Sequence, residues 1–178
     1  MKKAALLFLT VFLFSACGEE KFKPQIDATL SVGQIPVQES WDTKIVFTED
    51  GKTKAVLYSD HIRAYEDRNV KILEGVKIDF YNKEGNVSST LTSKRGRIND
   101  LTNDMWAIDS VVAVSDSGVV LKTDELMWRN KEKKIKTDKF VTIIDGDEKI
   151  EGYGFESDQN LRNYTIYNIT YITTLKEE

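Results

Sequence analysis

The chain has one cysteine, one histidine and two prolines among its 178 residues. A lone thiol, Cys17, can close no disulfide within the chain, so the fold has to be held by packing alone. A lone imidazole, His61, rules out a histidine-rich metal set, and any catalytic triad would have to gather around that one residue. None of the patterns G-x-S-x-G, H-E-x-x-H or G-x-x-x-x-G-K-[ST] occurs to support such chemistry, so His61 is read as an exposed strand-end residue. Gly152-Tyr153-Gly154 lacks the third glycine and the helix of a dinucleotide site, which leaves close strand packing or a bulge as its explanation. Asp145-Gly146-Asp147 lacks the spaced oxygen ligands of a calcium loop and reads as a hairpin turn. Both prolines, Pro24 and Pro36, fall before residue 41, and nothing after them sustains a helical period. The sequence therefore asks for no cofactor and no metal, and it offers no case for an enzyme.

Positive charge is also in short supply. The net charge is -4, and removal of residues 1–16, with Lys2 and Lys3, makes it -6, which argues against nucleic acid as a partner. Those first 16 residues combine two lysines, an apolar run from Ala4 to Phe14 and small residues before Cys17. The run is too short to span a bilayer, so residues 1–16 read as a signal peptide. Ending at the chain's only cysteine, the segment resembles a bacterial lipoprotein signal, in which Cys17 would become a lipid-bearing N-terminus and hold the protein to a membrane. Residues 17–40 are poor in pattern and read as a tether that lets the domain work away from that membrane.

What the chain has in quantity is alternation. Val119, Leu121 and Thr123 alternate with Val120, Lys122 and Asp124, and Val141 and Ile143 alternate with Thr142 and Ile144, the period of antiparallel strands. Asp145-Gly146 then turns the chain into Lys149 to Phe155, because Asp and Gly tolerate the positive φ of a tight hairpin. One phrase recurs: Leu57-Tyr58-Ser59-Asp60, Leu91-Thr92-Ser93-Lys94, Leu121-Lys122-Thr123-Asp124 and Phe155-Glu156-Ser157-Asp158, at spacings of 34, 30 and 34 residues. A period of about 30 residues means stacked supersecondary units sharing one core. The expected fold is all-β, an open antiparallel jellyroll of degenerate hairpin repeats in one domain over residues 41–178.

The order and spacing of four segments carry a family resemblance. Trp41-Asp42 near the start, G-V-x-L-x-T-x-x-L-x-W at Gly118 to Trp128, T-D-x-x-V-x-I at Thr137 to Ile143 and G-x-G-F-x-S-D at Gly152 to Asp158 resemble the LptC family. That family supplies the periplasmic component of the lipopolysaccharide-export bridge. The likeness covers about Trp41 to Thr174, and it implies a jellyroll of the OstA/LptA type whose interior shelters acyl chains. Many relatives are held by a transmembrane helix, whereas this sequence offers a lipid on Cys17.

On that resemblance, the alternating apolar residues Leu57, Val76, Ile78, Phe80, Leu91, Ile108, Val112, Val114, Leu121, Val141, Ile143, Phe155 and Ile166 would line a lipid groove. The sequence leaves open the alternative that they fill a closed core, in a structural envelope lipoprotein without cargo. Lys94, Arg95 and Arg97 could meet the phosphates of bound lipopolysaccharide, or form a solvated turn. Trp41, Ile45 and Phe47 in the first strand, and Tyr164, Tyr167, Ile169 and Tyr171 in the last, mark edge strands without proline. The resemblance implies that the N-terminal edge meets the inner-membrane lipopolysaccharide ABC transporter and the C-terminal edge an LptA-like bridge protein. It also implies the periplasmic face of the envelope, at the inner membrane in preference to the outer.

Overall fold

The computed structural model describes residues 35–174. The signal segment, Cys17, the tether up to residue 34 and the last four residues lie outside the described residues. Nine strands follow in order: β1 (Gln38–Glu49), β2 (Lys52–Tyr65), β3 (Val70–Tyr81), β4 (Val87–Asn99), β5 (Met105–Ser115), β6 (Val120–Arg129), β7 (Lys134–Asp145), β8 (Glu148–Ser157) and β9 (Tyr164–Thr174). They make one open sheet in the order β1 to β9, every neighbouring pair antiparallel. No α-helix occurs among the described residues; a single 3-10 turn, Glu66–Arg68, leads from β2 to β3. β1 begins inside the stretch read as tether, since Val37 N–H already donates to the Ala64 carbonyl at 2.9 Å. Between β1 and β2 the two-residue turn Asp50-Gly51 has φ of 52° and 72°, the sign that matches the twist of a hairpin.

The sheet is creased across its width. Part-way along the strands the ladders jump: from Ser59 to His61, Thr92 to Arg95, Ile108 to Val111, Thr123 to Met127 and Thr137 to Phe140. Positive φ marks the same line at Asp42, Gly75, Asp109, Ser110 and Gly154. An inserted residue bends a strand, and an odd insertion sends the next side chains to the opposite face. In β6 Leu121 and Thr123 give way to Leu126, and in β2 Leu57 and Ser59 are buried before the crease and Ile62 after it, there without any shift of register against β1 or β3. The parity change keeps one apolar face on the inside of the bend, and the sheet folds over that face as two arms.

The recurrent hydroxyl residue explains how the crease is sustained. Where a ladder jumps, backbone carbonyls lose their partners inside the protein, which is costly unless something donates to them. Ser59 Oγ reaches the carbonyls of His61 at 3.0 Å and Glu74 at 2.7 Å. Thr123 Oγ1 reaches those of Glu125 at 3.4 Å and Phe140 at 2.8 Å, and Ser93 Oγ donates to Arg95 O at 2.8 Å. The fourth copy differs: Ser157 lies at the end of β8 and donates to Asn163 O at 3.0 Å in the following loop.

Three expected groove residues fall on the wrong face. In β5 the buried residues are Ala107, Val111 and Ala113, so Ile108, Val112 and Val114 point outward, Val114 with 40% of its surface exposed. The Asp109-Ser110 irregularity sets this register, and β-branched residues on the outer face hide it from an alternation pattern.

The arms are tied together at one side by the β8–β9 loop. Leu161, at φ 56°, inserts into the core and is 1% exposed. On either side of it Ser89 Oγ donates to Gln159 O at 2.7 Å, Ser88 Oγ to Asn160 Oδ1 at 2.8 Å, and Arg162 pairs with Asp116 at 2.9 Å. Asp158 organises the loop from within, accepting from Asn160 N, Arg162 N and Asn163 Nδ2. The loop is thus a strap from the far ends of β8 and β9 to the near ends of β4 and β5.

Candidate binding cleft and sheet edges

Packing between the arms is uneven. Toward β6, β7 and β8 the interior is filled: Leu121, Val141 and Ile143 are 0% exposed and Phe155 1%. Between β3, β4 and β5 only a void of about 30 Å³ remains, bounded among others by Leu57, Leu73, Val76, Leu91 and Leu126, room for about one water. At the open ends of the arms the space widens into a cleft of about 710 Å³. That volume lies within the roughly 300–1,000 Å³ of pockets that bury a ligand of a few hundred daltons. Phe47, Ala55, Ile78 and Phe80 line it from one arm and Ile98, Met105 and Trp128 from the other, with strap residues Asp158, Gln159 and Asn160 along one side. Phe80 and Trp128 approach across the gap, their ring centroids 6.4 Å apart.

The expected groove residues therefore divide by place. Ile78 and Phe80 line the cleft; Leu57, Val76 and Leu91 surround the small void; Leu121, Val141, Ile143 and Phe155 are packed by protein; Ile166 is half-buried against the core. Sequence reasoning missed Ile98, Met105 and Trp128, the whole second wall. They lie beyond the crease, where the parity had already changed. Trp128 was visible within the G-V-x-L-x-T-x-x-L-x-W segment, seven residues after Leu121 and so out of step with a simple alternation.

Lys94, Arg95 and Arg97 do not reach this cleft. They are exposed on the outer face, where Arg95 Nε meets Asp109 Oδ2 at 2.8 Å and the Arg97 guanidinium lies 4.0 Å over the Trp106 ring. His61 is no strand-end residue either. It sits in mid-β2 at the crease, stacked on Trp41 with centroids 4.9 Å apart and with Nε2 2.8 Å from Glu39 Oε2. That arrangement joins β1 to β2.

Among the described residues the first and last strands each have one neighbour, and no described strand pairs with their outer ladders. β9 carries no charged side chain over its 11 residues, and Tyr167, Ile169, Tyr171 and Ile172 are half or more exposed. β1 is more polar, with Glu39, Asp42, Lys44 and Glu49; Trp41 and Val46 are exposed, while Ile45 and Phe47 turn inward against the core. Tyr164 also turns inward, 6.0 Å from the Phe155 ring.

Residues 4–173 match the model for lipopolysaccharide-assembly proteins, LptC-related. The chain belongs to this family. A search of curated proteins finds no match. Among solved structures it is similar to LptH, the LptA homologous periplasmic component of the lipopolysaccharide transport device from Pseudomonas aeruginosa, at 10% identity and a TM-score of 0.29, over 78% of this chain and 87% of that one.

In this LptC-related chain the glycines of the G-x-G-F-x-S-D segment work at the β9 edge. A Cβ on Gly152 would stand 2.4 Å from Asn168 O and 2.9 Å from Ile166 Cγ2, so only glycine lets β9 pair this closely with β8. Gly154, at φ 75°, lies under the Tyr167 ring. Tyr167 in turn reaches Glu156 Oε2 at 3.2 Å, and Lys134 and Lys136 also bond that carboxylate. Lys134 above all, then Lys136, holds the Glu156 carboxyl at about 2, well below the usual carboxylate range. Burial, helped by the Asp145 carboxylate 2.9 Å away, pushes the Tyr164 phenol up to about 12.

Proposed function

We propose that this LptC-related chain works at the periplasmic face of the envelope, held by a lipid on Cys17. There it takes acyl chains of lipopolysaccharide into the cleft between Phe47, Phe80 and Trp128. The observation that carries this reading is the cleft itself, about 710 Å³ with an apolar floor supplied by both arms. A lipid cannot cross water unaided, because each exposed methylene costs about 0.8 kcal/mol, and an apolar cleft removes that cost without any chemistry. Hand-over uses the two open edges. β1 takes the cargo from the inner-membrane lipopolysaccharide ABC transporter and β9 gives it to an LptA-like bridge protein, each by strand addition. The energy comes from the partner ATPase.

A second reading has one observation in its favour. The filled interior around Leu121, Val141 and Ile143 suits a structural envelope lipoprotein with a closed core and no cargo. Photo-crosslinking in cells separates the two. Reactive side chains at Phe47 and Ile78, with Lys77 and Thr142 as outward controls, are followed by a blot for lipopolysaccharide. Adducts at the first pair alone support transfer; no adducts in a folded, normally abundant protein leave the structural role.

A further inference from the structure

The cleft has an apolar floor but a charged rim, and the rim's charges are not evenly spent. Among the described residues four ionisable side chains stand on it: Glu49, Lys54, Lys133 and Asp158. Asp158 is consumed by its own loop, where both carboxylate oxygens accept from strap donors. Glu49 reaches Lys54 at 3.7 Å, a loose pair between groups 61% and 37% exposed, which holds neither firmly. Among the described residues the Lys133 ammonium has a neutral partner, Asn130 Oδ1 at 3.1 Å, and no carboxylate. Glu132 beside it is engaged by Arg129 and Lys136, and Asp104 by Asn130 N and Arg129. The rim therefore offers two ammonium groups, one from each arm, above an apolar floor.

We infer that Lys54 and Lys133 form a head-group subsite that selects amphiphiles carrying phosphate beside their acyl chains. This rests on the cleft being an acyl-chain site, and it deepens that reading. An ammonium is a compact donor with three hydrogens, able to follow a phosphate without a fixed approach direction, which suits a mobile head group at an open rim. A chain seated between Phe80 and Trp128 leaves its polar end at the rim, where Lys133 and Lys54 meet it from opposite sides. The subsite replaces Lys94, Arg95 and Arg97, whose outer-face position cannot serve a head group tethered to chains inside the cleft.

The test uses the full-length protein in detergent micelles with two ligands, phosphorylated lipid A and the same lipid with its phosphates removed. Lys54→Gln, Lys133→Gln and the double variant are compared with Lys131→Gln, a lysine of the same turn that does not line the cleft. The double variant weakens binding of the phosphorylated lipid about tenfold or more, the worth of a hydrogen bond to a charged group. Binding of the dephosphorylated lipid and of every ligand to Lys131→Gln stays unchanged. Added salt erodes the preference for the phosphorylated form, and millimolar inorganic phosphate competes poorly because it lacks the chain. Equal weakening for both lipids, no weakening for either, or full competition by inorganic phosphate overturns the subsite. If the unchanged protein binds neither lipid, the acyl-chain reading itself fails.

Discussion

Tyr164 shows what one side chain reports about its surroundings. Its phenol is pushed up to about 12 from 10.0, first by burial and then by its bond to Asp145. The neutral form is the one the fold favours, so this contribution is fully present below about pH 10 and lost as pH climbs through 12. Melting temperatures measured from pH 9 to 12 should fall over that window in the unchanged protein. Tyr164→Phe, which cannot ionise, should lose that part of the fall, and an identical pH profile in both would show that the phenol is not the group involved. Residue-scale roles were partly legible from sequence. Gly152 and Gly154 read as close packing because no helix followed them, and the 2.4 Å approach to Asn168 O gives the reason. The partners of Lys94, Arg95 and Arg97 were not legible, since nothing in the run says which face of the sheet it occupies.

At the scale of the strand, the repeat was visible before its purpose was. In three of its four copies Leu-x-Ser/Thr places an inward apolar residue and then a hydroxyl that bonds backbone carbonyls where the ladder is interrupted at the crease. Thr123→Val keeps the volume and removes the donor to Phe140 O, so it should cost about 1–3 kcal/mol in urea unfolding. Thr142→Val, on the outer face of the neighbouring strand, should change stability by no more than about 0.5 kcal/mol. Equal effects of the two would mean that the crease does not depend on its hydroxyls. The crease also marks where sequence reading stopped working. Strand existence and the Asp145-Gly146 turn were readable from alternation and turn chemistry. The faces of Ile108, Val112 and Val114 were not, because an irregularity at Asp109-Ser110 resets parity without any change in composition.

Over the whole molecule, the two open edges are unlike each other, and that difference gives the sheet a direction. A long, flat, apolar edge strand is a liability that proteins usually blunt with charge, proline or a covering element. β1 carries four charged residues, whereas β9 carries none and exposes Ile169, Tyr171 and Ile172. An uncharged edge that no other described residue pairs with is tolerable if it is habitually paired, and strand addition by a neighbouring chain is the pairing that would extend the cleft's walls from one protein to the next. Ile169→Lys and Tyr171→Lys place charge on that edge at positions already half exposed, so each should shift folding stability by no more than about 0.5 kcal/mol. The same changes should abolish co-purification of an LptA-like bridge protein, while loading of lipopolysaccharide into the cleft, measured by crosslinking at Phe47, continues. Cargo would then accumulate on this chain. If co-purification survives both lysines, β9 is not the exit edge; if loading falls with it, the cleft and the edge are one coupled element and cannot act as successive stations.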